Sequence, residues 1–268
     1  MTAFNRIELE RALRTEGNVG ALHHSVIHNV RLRAGIEEIY GREDWVQLET
    51  ARNAVLGSRT VETPRMVTAS LGHTSSLVAA EWRLGVESNA PRAACLCIVN
   101  AGRIVREWQV GDQAGHLSTG RQQRAPGRFG IPWEYGEVRA GLGQTAPGDR
   151  AAAIAPAGIA THPAVLYWHG LWNRREGDTQ GLLTGFAEPV MFCERLVAPP
   201  SGDVVALQWR LVGRHVADAW GVPASGLRLE IPGLSFIRLD GSRIVDREDH
   251  FDLSVLAEQV ELRTAIGA

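Results

Sequence analysis

The chain has 268 residues, 44% of them apolar and 22% charged, and a formal net charge of −2. These values fit one large or two small globular domains and argue against nucleic-acid or membrane-surface partners, which require a basic face. No run of about 18 apolar residues exists to span a bilayer. Lysine is absent, which excludes lysine Schiff-base chemistry and a Walker-A phosphate loop.

Residues 1–10 are charged and amphipathic and lack the apolar core of a secretory signal, so a cytoplasmic location is expected. His23, His24 and His28 raise the question of a metal. Their spacing fits one helix face, but residues 26–32 read as a strand. No nearby Cys or Asp completes a ligand set, so no metal is expected. Residues 44–56 predict a helix: Trp45, Leu48, Ala51 and Val55 recur at helical spacing and Gly57 can stop it. His73, Thr74, Ser75 and Ser76 offer hydroxyls without a triad, and no Gly-x-Ser-x-Gly elbow occurs. Cys95 and Cys97 lie two apart in an apolar strand, on one face, as core thiols. With Cys193 they make an odd count, unlike a disulfide framework.

Residues 115–136, rich in Gly, Arg and Gln, read as a linker. Residues 151–160 are Ala-rich and suggest a helix interrupted by Pro156 and Gly158. Trp168, His169 and Trp172 form an aromatic cluster suited either to a pocket wall or to core packing. Residues 178–187 suggest a short helix with Leu182, Leu183 and Phe186 on one side. Residues 227–231 alternate with period two, and Asp240-Gly241 marks a hairpin turn into a strand over 244–252.

Two stretches resemble each other. Glu81-Trp82-Arg83-Leu84 is followed by Arg103-Ile104-Val105 and Asp112. Gln208-Trp209-Arg210-Leu211 is followed by Arg243-Ile244-Val245 and Asp252, with 13 more residues between Trp and Ile. The extra length holds the turn-rich loop around Trp220-Gly221-Val222-Pro223. Helices first and a meander afterwards, twice over, indicate α+β.

The second stretch resembles a known family. Gly213-Arg214-His215, then Gly221-Val222-Pro223-Ala224-Ser225-Gly226, is similar to a signature of SnoaL-like polyketide cyclases and ester cyclases. Gly233-Leu234-Ser235-Phe236 with Asp240-Gly241-Ser242-Arg243-Ile244-Val245 resembles that family's final hairpin, and Phe251-Asp252-Leu253 its terminal aspartate. Glu107-Trp108-Gln109-Val110-Gly111-Asp112 matches the same terminal strand in the first half. The resemblance implies two tandem cone-shaped α+β barrel domains with curved antiparallel sheets, of the nuclear transport factor 2-like class. A degenerate copy would span 1–125, a linker 126–135, and a candidate functional copy 136–268.

It further implies cofactor-free proton transfer next to a carbonyl, in polyketide or other secondary metabolism. The substrate would be an apolar carbonyl-containing small molecule. Asp249 stands nearest the expected acid/base position and His215 matches the family histidine, so these are the catalytic candidates. Gln109 stands at Asp249's place in the first copy and cannot act as a carboxylate base. Ser235, Trp168, His169, Trp172 and Trp220 are the substrate-contact candidates. The two copies are expected to pair through their sheets as an intramolecular pseudo-dimer, with a further homodimer left open. A non-catalytic hydrophobic-ligand binder and an interaction module of the same fold stay open beside the enzyme.

Overall fold

The computed structural model describes residues 6–34, 37–57, 59–85, 92–111, 152–154, 158–174, 185–200, 202–218, 222–251 and 254–265. The amino-terminal part begins with α1 (Arg6–Arg14), a 3-10 turn (Val19–Ala21) and the short α2 (Leu22–Ser25). Strands β1 (Val26–Ala34) and β2 (Glu37–Tyr40) and helix α3 (Arg42–Leu56) follow. A four-strand meander completes it: β3 (Val61–Ser70), β4 (Ser75–Leu84), β5 (Arg92–Asn100) and β6 (Arg103–Gly111). The sheet order is β2-β1-β6-β5-β4-β3. The carboxy-terminal part contains β7 (Ala152–Ile154), α4 (Pro163–Arg174), β8 (Phe186–Val197), β9 (Val204–His215), β10 (Arg228–Asp240), β11 (Arg243–Phe251) and α5 (Ser254–Ala265). Its sheet runs β11-β10-β9-β8-β7.

The α+β class and both meanders agree with the sequence. The predicted helix over 44–56 is α3, and residues 26–32 lie in β1. Three expectations are corrected. Each sheet is mixed at one edge, because β1 runs parallel to β6 and β7 parallel to β8. Residues 152–154 are a strand rather than helix, and Phe186 and Ala187 open β8 rather than ending a helix. Both segments are short, and pairing to β8 and β9 outweighs local propensity. The suggested linker and residues 178–184 lie outside the described residues.

The central strands are buried on both faces. In β4, Val78, Ala80, Trp82 and Leu84 pack on the helix side with α1 and α3 residues, while Leu77 and Ala79 join a different cluster. In β9 and β10, Leu207, Trp209, Leu211, Leu229 and Ile231 pack with Ala164, Val165 and Trp168 of α4. The opposite faces meet: Leu77, Ala79, Leu96 and Trp108 pack against Ala206, Leu234 and Phe236. These strands therefore read as near-continuous apolar runs, as strands covered on both sides do. Ion pairs rim that seam: Arg33–Glu230 at 2.5 Å, Arg65–Asp246 at 2.6 Å and Arg92–Glu248. Inside it, His250 Nε2 lies 2.6 Å from Glu81 Oε2.

The first residues of β10, before Gly233, have no β11 partner among the described residues. There α5 supplies one: Gln259 accepts from the Glu230 N–H at 3.0 Å and donates to its carbonyl at 2.5 Å. One side-chain amide thus stands in for a missing ladder residue.

Candidate functional site

Strand alternation decides which acidic residue of the polar run on β11 faces the helices. Ser235 of β10 pairs in register with Asp249, and Leu207 of β9 pairs with Ser235. Leu207 belongs to the helix-side core, so Asp249 and Ser235 share its concave face. Glu248 points the other way and meets Arg92 of the first sheet. Asp252 lies outside the described residues.

Around Asp249 the polar atoms form a chain. The Trp209 indole N–H donates to Ser235 Oγ at 2.8 Å, and Ser235 Oγ donates to Asp249 Oδ1 at 2.7 Å. Arg247 Nε lies 3.0 Å from Asp249 Oδ2. The Arg247 guanidinium also sits 5.0 Å above the Trp168 ring, which is 5.7 Å from Trp209. Phe251 closes the group at 6.2 Å from Trp209. Trp209, Trp168 and Ser235 are fully buried, whereas Asp249 keeps 19% of its side chain exposed. The arrangement is a half-open carboxylate on an aromatic floor, oriented by a buried hydroxyl. Gly233 permits it: a Cβ there would lie 2.1 Å from the Trp209 ring.

His215 lies on the same face but not at the same place. It stands eight residues beyond Leu207 on β9, roughly 26 Å of strand path. The expectation that His215 and Asp249 converge as one proton-transfer pair is thus corrected by the register. Position on matching strands put both on one face without fixing their level along it. His215 Nδ1 lies 3.3 Å from Ser225 Oγ, and its ring lies 5.6 Å from Phe186. Burial lowers its pKa, against weaker opposing effects of Asp218 and the Ala217 backbone, so the ring is neutral at pH 7. Among the described residues, His215 Nε2 is buried without a hydrogen-bond partner.

Of the other candidates, Trp168 is core as well as floor. His169 follows it on α4, with its pKa lowered by burial and, among the described residues, no hydrogen-bond partner for its buried Nε2. Trp172 falls in α4 with an undescribed side chain, and Trp220 lies outside the described residues. Sequence reasoning missed Trp209 and Arg247 as site residues. The period-two rule applied to Arg247 and Asp249 carries the second of these; the Trp209 contact depends on cross-strand register.

The first half has equivalent ladder positions with other chemistry. Trp82 pairs with Ala93 and Cys95 with Gln109, where Trp209 pairs with Gly233 and Ser235 with Asp249. Glu107 precedes Gln109 as Arg247 precedes Asp249. Arg6 of α1 donates two hydrogen bonds to Glu107, at 3.0 and 2.8 Å, and one to Glu10 at 3.0 Å. Arg14 binds Glu10 at 2.9 Å and also Glu49, and Arg52 bridges Glu49 at 2.6 Å to Gln109 at 3.0 Å. All seven side chains are buried. Burial alone pushes the Glu49 carboxyl up, but Arg14, Arg52 and the Trp45 N–H outweigh it and hold the pKa at about 2. Cys97 Sγ donates to Glu107 at 3.0 Å and lies 3.6 Å from Cys95 Sγ. These three residues are the one metal-type cluster among the described residues, yet Arg6 already neutralises their carboxylate. Burial, with Cys95 and Glu107, pushes the Cys97 thiol well up, so it stays protonated.

Residues 179–260 match the family described as SnoaL-like polyketide cyclase. No curated protein sequence matches the chain. Among solved structures, a putative ketosteroid isomerase from Shewanella frigidimarina is similar at 16% identity, over 37% of this chain and 86% of that one, with a TM-score of 0.32. A putative polyketide cyclase from Sinorhizobium meliloti is similar at 14% identity, over 37% and 85%, with a TM-score of 0.29. A Kribbella flavida protein is similar at 19% identity, over 47% and 100%, with a TM-score of 0.33. The stretch from residue 179 to 260, which contains β8 to β11 with Asp249, Ser235 and His215, is therefore the SnoaL-like part of this chain.

Proposed function

We propose that the carboxy-terminal half is a cofactor-independent enzyme that moves a proton next to the carbonyl of an apolar small molecule, as a cyclase or isomerase does. Residues 1–125 and 136–268 are read as two copies of one unit, joined by 126–135, with the first copy silent. The observation that carries the reading is the inward, half-open Asp249 carboxylate bonded to the buried Ser235 hydroxyl. The substrate approaches Asp249 from its exposed side, past the partly exposed Arg247 and Phe251. Asp249 takes the proton from the carbon beside the carbonyl. Ser235, held by Trp209, fixes the carboxylate's orientation, and Arg247 is the cation nearest the oxygen charge that develops. Substrates of polyketide type and other secondary metabolites have the required flat apolar body and carbonyl groups.

A specific observation favours a second reading, a non-catalytic binder: Arg247 Nε already holds one oxygen of the Asp249 carboxylate at 3.0 Å. The experiment is solvent-deuterium incorporation at the α-carbon of a panel of apolar ketones, followed by proton NMR. Incorporation above the buffer rate, saturating with ketone, is the expected result. Saturable binding with no incorporation throughout the panel gives the binder.

A further inference from the structure

Strand β11 carries the candidate base and lies at the edge of its sheet, where β10 is its one ladder partner among the described residues. Its side chains divide by strand alternation. Arg247, Asp249 and Phe251 make up one side of the candidate site. Asp246, Glu248 and His250 face the first half, and each meets a complementary group there. Arg65 of β3 lies 2.6 Å from Asp246, Arg92 of β5 pairs with Glu248, and Glu81 of β4 lies 2.6 Å from His250 Nε2. Three alternate residues of one edge strand are thus tied to three different strands of the first half. Within its own sheet, Arg238 of β10 reaches the Asp246 carboxylate only at 3.9 Å.

We propose that Arg65, Glu81 and Arg92 of the first half are positioning residues for Asp249, clamping β11 against β10 from outside the second sheet. The proposal rests on the reading of Asp249 as the base. Neighbouring residues of an extended strand are only about 3.3 Å apart, so holding residues 248 and 250 holds the residue between them. The 2.7 Å contact of Asp249 with Ser235 joins β11 to β10, and a hydrogen bond of that length weakens steeply as its geometry is lost. The first half therefore acts on the chemistry without sharing in it. Another tie across the same seam lacks this reach. Arg33 pairs with Glu230, which lies on β10 before Gly233, where β11 is not paired.

The test compares seam variants that do and do not touch β11. Arg65→Ala with Arg92→Ala removes two ties from the first half alone, and Arg33→Ala removes a tie that ends on β10. Two quantities are read on folded protein: solvent-deuterium incorporation into the apolar ketone that the wild type exchanges fastest, and amide hydrogen exchange along β11 and β9. The double alanine variant should lose about tenfold or more in kcat at unchanged KM, as a misplaced base does. Its β11 amides should exchange about tenfold faster relative to those of β9. Arg65→Lys with Arg92→Lys, which keeps both charges, should recover most of both losses. Arg33→Ala should keep wild-type values in both. Should the double variant fail to fold, Arg92→Ala alone, at a side chain 30% exposed, should shift both quantities in the same direction. Wild-type kcat and β11 exchange in the alanine variants overturn the clamp, and so does an equal change in Arg33→Ala, which would mean general loosening of the seam. Absence of ketone exchange by the wild type overturns the parent reading alone, and the β11 amides then decide the clamp.

Discussion

The two concave faces use one ladder geometry to opposite ends. At matching positions the first half has Trp82, Ala93, Cys95, Glu107 and Gln109, and the second has Trp209, Gly233, Ser235, Arg247 and Asp249. In the first, Arg6, Glu10 and Arg14 of α1 and Glu49 and Arg52 of α3 close over Glu107 of β6, all buried and mutually paired. In the second, the strand carboxylate of Asp249 remains partly exposed, whereas Glu107 is fully buried. A concave face becomes a structural plug when its charges are neutralised from the covering helices. The second acid, Asp249, is instead oriented by Ser235 and Arg247 of the sheet and keeps part of its side chain exposed.

The largest effect expected from breaking this contrast is in the plug. Arg6→Ala leaves Glu107 and Glu10 buried without their shared cation and should cost about 3–5 kcal/mol, measured by denaturant unfolding. A loss below about 1 kcal/mol would mean the network is not as tightly coupled as its geometry implies. The same network sets an acid limit. The Glu49 pKa lies at about 2 in the folded chain against 4.5 ordinarily. Its stabilisation is therefore complete above pH 4.5 and lost as pH falls from there toward 2. Near-ultraviolet circular dichroism should hold to about pH 4 and collapse below it.

Gly233→Ala tests the second face from beneath. The new Cβ meets the Trp209 ring, so the indole must move and release Ser235. A cost of about 1–3 kcal/mol is expected, together with slower proton exchange; unchanged exchange would remove Trp209 from the site. The smallest effect compares paired tryptophans. Trp209→Phe deletes the bond to Ser235 and should cost about 1 kcal/mol more than Trp82→Phe, because the buried Trp82 N–H has no hydrogen-bond partner among the described residues. Equal losses by thermal unfolding would contradict the assigned geometry.

Much of this was legible in the sequence because it is local. Period-two alternation and the Asp240-Gly241 turn mark the second hairpin, helical spacing marks α3, and the repeated Trp-Arg-Leu strand pairs the halves. Asp249 and Ser235 were legible from family position, and the register brings them within 2.7 Å. What the sequence did not carry was distance along a face: His215 and Asp249 share one side of the sheet at different levels. Residues 152–154 are a strand for a comparable reason, since an Ala-rich segment has helical propensity and acquires its strand geometry from β8. The Arg/Glu plug was hidden because Arg6, Glu49 and Glu107 are 43 residues or more apart in sequence and look like ordinary surface charges until three elements meet.

The division of labour between the faces rests on one comparison, solvent-deuterium incorporation into an accepted ketone by Asp249→Asn and Gln109→Ala proteins. Asp249→Asn keeps the side chain's shape and removes its basicity. It should slow exchange by roughly a hundred- to ten-thousand-fold, while Gln109→Ala, folded to the same extent, should exchange at the wild-type rate. Wild-type exchange by Asp249→Asn, or its loss in Gln109→Ala, would contradict the account.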